Sequence, residues 1–531
     1  MREVKKNELA NQRKLVLALA ASIRKKTSVK SVRLVETHIS WVLLAGHYAY
    51  KIKKAVDLGF LDFSSLEARR FYCEEEIRLN CRLAPKIYLD VIAIGGSAGN
   101  AVLHAKPAIE YAVRMRRFPA SKQMDRLVTS NKILPQHLDS LAATIADFHR
   151  SLPGTDDHSS YGTAEAVYRA MQQNFEQLAP LLAHQPEEEN LAVLRRASEH
   201  EYAACRHLFE QRRLLGYVRE CHGDLHLGNI VLIEGQPVPF DCIEFNPELR
   251  WIDVMNEVAF TVMDLLHHQR AALAYRFLNH YLELTGDYTG IAVLNFYISY
   301  RAMVRAKVSA IRASQSAQAP RVIVEARVNC TEYLDLASRC YARKQPALII
   351  THGLPGSGKT TFAQIALERL QAIRLRSDVE RKRLFGLSPL ADSRVGSGID
   401  LYGTDATQRT YSRLLDLARE LLGAGYTVIV DAAFLKQNER EIFCQLAEEL
   451  SLPFVIASVQ AGKETLRARI KQRQQAANDA SEADITVLEK LLLTYQPLSM
   501  KERGYTADFL NESEGIVADA AGWHRLQQLL S

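Results

Sequence analysis

The sequence predicts two domains: a bilobal α+β unit over residues 1–343, then an α/β unit with a parallel sheet over residues 346–531. Three observations lead there. The length of 531 residues exceeds one ordinary domain and suggests about two to four. Strand-like alternation over a small lobe, 30–118, gives way to mostly helical periodicity over a second lobe, 119–343. At RKQP, 343–346, proline stops the preceding helix, and the apolar segments beyond it alternate with helical ones, as in a parallel sheet.

The elements follow in order. LVLALAASI, Leu15–Ile23, lies between basic flanks and could mimic a short signal sequence, but it is more simply the start of an amphipathic helix. SVRLVE, WVLLAG and HYAYKIKK alternate as strands, SLEARRFYCEEEIRLNCRL is helical, and KIYLDVIAI and IEYAVRMR return to strand, which makes a small sheet carrying one helix. The helical periodicity from Leu127 to Tyr341 breaks near 217–245, where CHGDLHLGNIVLI and VPFDCIEF offer two short apolar strands. Beyond 346, ALIITHG, YTVIVDAAF and LPFVIASVQ are the expected parallel strands.

Composition narrows the class. With 47% hydrophobic and 24% charged residues the chain is that of an ordinary globular protein. Its eight cysteines are scattered without a CxxC pair, which suits reduced thiols and a cytoplasmic protein. No run approaches the roughly 18 apolar residues of a membrane span. The net charge, 67 − 61 = +6, is small for this length and argues against a dominant nucleic-acid surface.

The strongest motif is Gly353-Leu354-Pro355-Gly356-Ser357-Gly358-Lys359-Thr360, which fits GxxxxGK[ST] between an apolar strand and a helix opening at Thr361. Its chemistry is that of ATP binding. Glycines let backbone N–H groups close around phosphate oxygens at a helix N-terminus, Lys359 neutralises the outer phosphates, and Thr360 offers its hydroxyl to Mg²⁺. Asp431, at the end of a neighbouring strand, either completes the metal shell or caps the next helix. In LRSDVERKRLFG, Asp378 and Arg381 lie three apart: the carboxylate would take an acceptor proton and the arginine would hold an anionic acceptor, or both sit on a charged surface helix. Arg469 and Arg473, four apart before a polar loop, would close as a lid or lie on a solvated face. Residues 346–531 resemble the P-loop kinases that include polynucleotide kinases and zeta toxins. That resemblance implies a P-loop NTPase fold and assigns phosphate binding to Lys359, acceptor handling to Asp378 and Arg381, and lid roles to Arg469 and Arg473.

The second constellation is CHGDLHLGNIVLI with VPFDCIEF. Asp224 and Asn229 are five apart, 229 − 224 = 5, and Asp241 follows an apolar strand. Phosphoryl transfer needs such a set: one carboxylate at the acceptor hydroxyl, and an amide and a second carboxylate on the metals. The alternative is a loop of structural histidines and caps. HGDxHxxN with a following aspartate resembles the aminoglycoside phosphotransferase and choline kinase group, which implies a bilobal protein-kinase-like fold with Asp224 as base, Asn229 and Asp241 as Mg²⁺ ligands, and ATP as donor. In that resemblance Lys51 of AYK contacts the nucleotide and Glu76 pairs with it; Lys53, on the same strand face, stays open for the role. Arg117-Phe-Pro-Ala would be the hinge facing adenine. No GxGxxG precedes Lys51, so Thr37–Ser40 would have to cover the phosphates. DCIEF stands in place of DFG, and no APE follows. Glu244, Arg250 and Asp253 would orient the loop, line the acceptor pocket or form buried ion pairs, and Arg301 and Arg305 are taken for a structural face.

In order, the two halves resemble bacterial fusions of an aminoglycoside-phosphotransferase-like domain with a P-loop kinase or AAA-type ATPase domain. The implied protein is bifunctional, using ATP and Mg²⁺ to phosphorylate a hydroxyl of a small molecule, with nucleic acid the less favoured acceptor. The rival reading makes the first lobe a non-catalytic nucleotide or metabolite sensor that regulates a P-loop kinase acting on nucleic-acid or nucleotide-like hydroxyls.

Overall fold

The computed structural model describes all residues except 1, 27–30, 58, 60, 157, 316–318, 343–344, 389–402, 477–483, 513–514 and 531, and the side chains of 2–7, 26, 473–476, 494 and 517 also lie outside the description. The chain divides into two compact units, residues 1–183 with 206–264 and 300–307, and residues 184–205 with 265–299 and 308–531. The expected boundary at 343–346 falls inside the second unit.

In the first unit, β1 (Val32–Glu36), β2 (Ser40–Ala45), β3 (Tyr48–Lys53), β4 (Tyr88–Ser97), β5 (Asn100–Leu103) and β6 (Ala108–Arg116) form an antiparallel sheet in the order β1-β2-β3-β6-β4-β5. The helix Arg2–Lys26 lies on it: Leu15, Val16, Leu19 and Ile23 pack with Trp41, Leu43, Ile52 and Ile92. Burying each such side chain contributes about 1.5–3 kcal/mol, so LVLALAASI is a core-facing helix segment. The helix Leu66–Asn80 begins where the Ser65 hydroxyl accepts the Ala68 amide, and it turns Cys73, Glu76 and Leu79 inward.

The second lobe is helical with two small antiparallel ladders. β7 (Val218–Glu220) pairs with β10 (Trp251–Asp253), and β8 (Ile230–Ile233) pairs with β9 (Gln236–Pro239). Val231 and Phe240 join Ala49, Tyr88, Val113 and Met115 in one cluster, so the hairpin β8–β9 and the sheet share a core. The loop between β7 and β8 therefore faces the sheet. Behind it runs the helix Val254–His267, mostly buried.

In the second unit, β11 (Leu348–His352), β12 (Ile373–Arg376), β13 (Val428–Asp431), β14 (Phe454–Gln460) and β15 (Thr506–Leu510) form an all-parallel sheet in the order β12-β13-β11-β14-β15. The central strands are continuous apolar runs because both faces are covered. Three of these strands are legible by pattern. β12, IRLR, hides behind its arginines, whose partners lie far away in sequence, and β15 hides behind a polar start. Among the described residues no helix is long and apolar enough to cross a membrane.

Candidate active sites

The first site is built on the loop 221–229. His222 Nε2 bonds the Phe240 carbonyl at 2.9 Å while Nδ1 accepts the Asp224 amide at 3.3 Å, which requires a neutral ring protonated at Nε2. Burial lowers its pKa and agrees with that state. The Asn229 amide nitrogen donates to the Asp224 carbonyl at 3.0 Å and to its carboxylate at 2.9 Å, which leaves the amide oxygen as a donor for a cation. Burial pushes the Asp224 carboxyl up, but His226 and Arg305 more than offset this and hold it well below the ordinary range. The carboxylate remains one-third exposed, with His226 Nε2 at 3.5 Å.

Asp241 follows Phe240, whose amide donates to the Asn229 carbonyl at 2.9 Å, and has φ +65°, a left-handed conformation that costs a non-glycine residue about 1–3 kcal/mol and concentrates at functional sites. The Tyr88 hydroxyl accepts its amide at 3.0 Å and secures the turn. Lys51 Nζ reaches Asp241 at 2.6 Å and Glu76 at 2.8 Å. Burial lowers the Lys51 pKa, but Asp241 and Glu76 more than offset this and raise it well above its ordinary value. Glu76 is fully buried; burial pushes its carboxyl up, yet Lys51 and Lys53 bring it down to about 2. Lys53 is 1% exposed, pairs with Glu76 at 2.7 Å and with Glu244, and lies over the Phe63 ring. Both lysines therefore meet Glu76, and Lys51 is the one that also reaches Asp241.

Glu257, Thr261 and Asp264, without an assigned role in the sequence reading, and Arg301, expected on a structural face, fasten this loop from behind. Glu257 accepts the His222 amide at 2.8 Å and the Gly223 amide at 2.7 Å. Burial pushes its carboxyl up, while His149 and the His222 amide hold it at about 2. Thr261 donates to the Leu225 carbonyl at 2.8 Å, and Asp264 accepts the Leu227 amide at 2.8 Å. These three polar groups, four and then three apart in an apolar helix, form a stripe along one face, and that spacing was the signal available in the sequence. Arg301 completes the set, donating to Asn256 Oδ1 at 2.7 Å and to the Gly223 carbonyl at 3.1 Å. His149, Cys221 and Glu257 have metal-ligand atoms within 4.8 Å of one another, but both Glu257 oxygens are taken by backbone amides, so the group holds the loop. Glu244, Arg250 and Asp253 form ion pairs with Lys53, Glu220 and Arg212. The Thr37–Ser40 turn is closed by its own hydrogen bonds, at 2.9 and 3.1 Å. Phe118 of the proposed hinge meets the Phe240 ring edge-on at 4.8 Å.

The second site is the turn from β11 into the helix Lys359–Leu370. Gly358 has φ +100°, and a Cβ there would overlap Asn511 Nδ2, which donates to the Ser357 carbonyl at 2.8 Å. Lys359 Nζ donates to the Leu354 carbonyl at 3.0 Å, folded along its own loop. The Ser357 hydroxyl is buried without a partner among the described residues, as expected of a polar group waiting for a ligand oxygen. Pro355 is buried, Gly353 and Gly356 have positive φ, and Thr361 is exposed on the first helical turn. Asp431 is 6% exposed, with the Thr360 hydroxyl near enough to favour its charged form. Burial raises its pKa, although Arg376, Arg374 and Lys359 oppose that. Two hard oxygen donors beside a phosphate cradle suit Mg²⁺.

Asp378 and Arg381 both lie on the helix Ser377–Leu384, Asp378 half-buried in the first turn and Arg381 buried with a bond to Thr407 Oγ1 at 3.3 Å. Arg469 Nη1 reaches the Gly356 carbonyl at 3.5 Å, from a helix whose Leu466 and Ile470 pack with Leu354 of the P-loop. The Arg473 side chain lies outside the described residues.

Known proteins match the same two regions. The family described as phosphotransferase enzyme family matches residues 85–294, and the family described as AAA domain matches residues 348–498. Rv2004c of Mycobacterium tuberculosis and Mb2027c of Mycobacterium bovis, both called uncharacterized proteins, are each 32% identical over 450 residues, 84% of this chain and 87% of theirs. Amicoumacin kinase hAmiN, solved with AMP-PNP, Ca²⁺ and Ami, is 12% identical with a TM-score of 0.37, covering 59% of this chain and 92% of its own. Chaetomium thermophilum Kti12, solved with ADP-AlF3, is 20% identical with a TM-score of 0.27, covering 34% and 96%. With its two modules in that order, the chain belongs to the family that these mycobacterial proteins represent, a phosphotransferase-family domain joined to an AAA P-loop domain, and it is an enzyme of the kinase class.

Proposed function

We propose that the first site phosphorylates a hydroxyl group of a small molecule at the expense of ATP, and that the P-loop site is a second ATP-dependent kinase module. The observation that carries this reading is the Lys51 bridge between Glu76 and Asp241 beside the Asp224–Asn229 pair. Lys51, oriented by Glu76, would hold the donor phosphates. Asn229 and Asp241 would hold Mg²⁺, which when bound neutralises charge on the phosphoryl oxygens. Asp224 accepts a hydrogen bond from the acceptor hydroxyl and aims its oxygen at the γ-phosphorus. The new O–P bond forms as the bond to the β,γ-bridging oxygen breaks, ADP leaves, and the proton passes to Asp224. Because its neighbours keep that carboxylate weakly basic, the proton moves late, after the attacking oxygen has acquired positive character.

At the second site Gly353–Thr361 would cradle the phosphates, Lys359 would neutralise them, and Thr360 and Asp431 would hold Mg²⁺. Asp378 and Arg381 would receive the acceptor while Arg469 and Arg473 close over the phosphoryl group. The dispersed free thiols support a cytoplasmic setting.

The test is transfer from γ-labelled ATP with Mg²⁺ to a panel of small alcohols, aminoglycosides and 5′-hydroxyl oligonucleotides. Asp224→Ala is expected to lower labelling of the small-molecule acceptor by about 10²–10⁴-fold with ATP binding kept, while Lys359→Ala leaves that labelling in place. Undiminished labelling in Asp224→Ala would instead make the first lobe a sensor.

A further inference from the structure

β12 is an edge of the parallel sheet, and an edge strand leaves backbone donors and acceptors unpaired. In the second unit these groups are met by the helix Ala271–Thr285. Asn279 Oδ1 accepts the Arg374 amide at 2.6 Å, and its Nδ2 donates to the Ala372 carbonyl at 2.9 Å. One turn further along, buried Glu283 accepts Arg374 Nε at 2.8 Å and Nη2 at 2.6 Å. Its other oxygen lies 3.6 Å from Arg376 Nη1. Arg376 Nε in turn lies 3.9 Å from Oδ2 of Asp431, its cross-strand neighbour in β13. The arginine beside the proposed metal carboxylate is thus shared between two acids, and the nearer approach is to Glu283.

We propose that Glu283 is a positioning residue of the P-loop site: by drawing Arg376 toward itself it keeps Asp431 open to a divalent cation. Metal-dependent nucleotide binding at the P-loop then depends on a helix from the stretch that the phosphotransferase family matches, since 283 lies within 85–294. The inference rests on the reading of the P-loop as a nucleotide and metal site. The physical argument is competition. Asp431 and Arg376 are both largely buried, where opposite charges attract strongly. A guanidinium seated fully on Asp431 would occupy the oxygens that a cation needs. Oε1 of Glu283 neutralises Arg374, and Oε2 is placed to hold Arg376 back. Groups that orient a metal ligand from behind in this way typically change metal affinity by about 10–100-fold when removed.

The test uses the full chain and a fluorescent ADP analogue, titrated with Mg²⁺ and again with EDTA, and follows the component of binding that Lys359→Ala removes. Wild type is expected to bind more tightly with Mg²⁺. Glu283→Gln, nearly isosteric, is expected to lose about tenfold of that gain while EDTA binding stays unchanged. Adding Arg376→Met to Glu283→Gln should restore the gain, because the competing cation is gone. Arg376→Met alone, which leaves the Glu283–Arg374 pair in place, should bind the Mg²⁺ complex at least as tightly as wild type. The proposal is overturned if Glu283→Gln keeps the full Mg²⁺ gain, if the double variant stays as weak as the single one, or if Arg376→Met alone weakens Mg²⁺-dependent binding. Either of the last two would reduce Glu283 to a structural partner of Arg374. If Lys359→Ala removes no binding component, the P-loop reading fails and takes this inference with it.

Discussion

The two phosphate-handling loops solve one problem in opposite ways. The P-loop is shaped largely from within, by glycines with positive φ and a lysine folded along its own segment, with outside support from the Asn511 amide, from Arg469 and from the Ala433 carbonyl, which accepts the Gly353 amide. The loop 221–229 is shaped from outside, by Glu257, Thr261, Asp264 and Arg301 on two helices behind it. A self-contained loop can be recognised as a motif. A loop held from outside carries its catalytic residues in the motif and its rigidity elsewhere, so damage to it can begin far away in sequence. Substitutions in either loop and in its supports test that contrast.

The two lysines of β3 separate support from contact. Lys53 is buried between Glu76 and Glu244, so Lys53→Met leaves buried carboxylates short of a partner and should destabilise the first unit by about 3–5 kcal/mol. Lys51 is 12% exposed and faces Asp241. Lys51→Met should leave chemical denaturation closer to wild type and raise the apparent ATP requirement of the first module. If Lys53→Met loses ATP affinity without loss of stability, the two roles are reversed.

Glu257→Ala strips two backbone amides and His149 of their acceptor, at a cost of about 1–3 kcal/mol for each buried group left unpaired. The loss should appear as lower stability and lower turnover in the first module, with nucleotide binding at the P-loop unchanged. Acid supplies a second readout. Glu257 and Glu76 both sit at about 2 in the fold, below the ordinary value of 4.5. A depressed carboxyl contributes stability that is fully present above the unfolded value and is lost as pH falls through the folded one. Wild type should therefore lose first-unit stability between about pH 4.5 and 2, and Glu257→Gln should flatten that slope. An unchanged slope in Glu257→Gln would mean that its carboxylate is not held as the hydrogen bonds imply.

Legibility in the sequence follows the same contrast. The P-loop, the Asp224–Asn229–Asp241 spacing and the order of the two folds were all readable, because each is a local pattern. Lys51 and Lys53 could not be separated, since both point to one strand face and both meet Glu76; the approach of Asp241 to Lys51 and of Glu244 to Lys53 distinguishes them. The stripe Glu257, Thr261, Asp264 was readable in principle, as polar groups at helical spacing in an apolar helix. Glu283 was not. Its partners Arg374 and Arg376 lie beyond three further helices and β11, on a strand whose IRLR pattern reads as a surface. Covering the β12 edge is what brings residues 265–299 into the second unit, and no periodicity announces such a cover.

The smallest effect tests the self-contained loop. Gly358→Ala places a Cβ where φ is +100° and where Asn511 Nδ2 lies. The left-handed backbone costs an L-residue about 1–2 kcal/mol, and the Asn511 side chain must also shift off the Ser357 carbonyl. Paid locally, this strain should weaken nucleotide binding at the P-loop by roughly tenfold. Turnover of the first module should not change, since its proposed catalytic residues belong to the other unit. Gly223→Ala is the matched substitution in the other loop: φ is +87° and a Cβ would press on the Leu249 carbonyl. Because Gly223 is tied at its amide to Glu257 and at its carbonyl to Arg301, its strain cannot stay local. It should lower both the melting temperature and the turnover of the first module. Equal global destabilisation by the two substitutions would erase the distinction between a loop shaped from within and one held from outside.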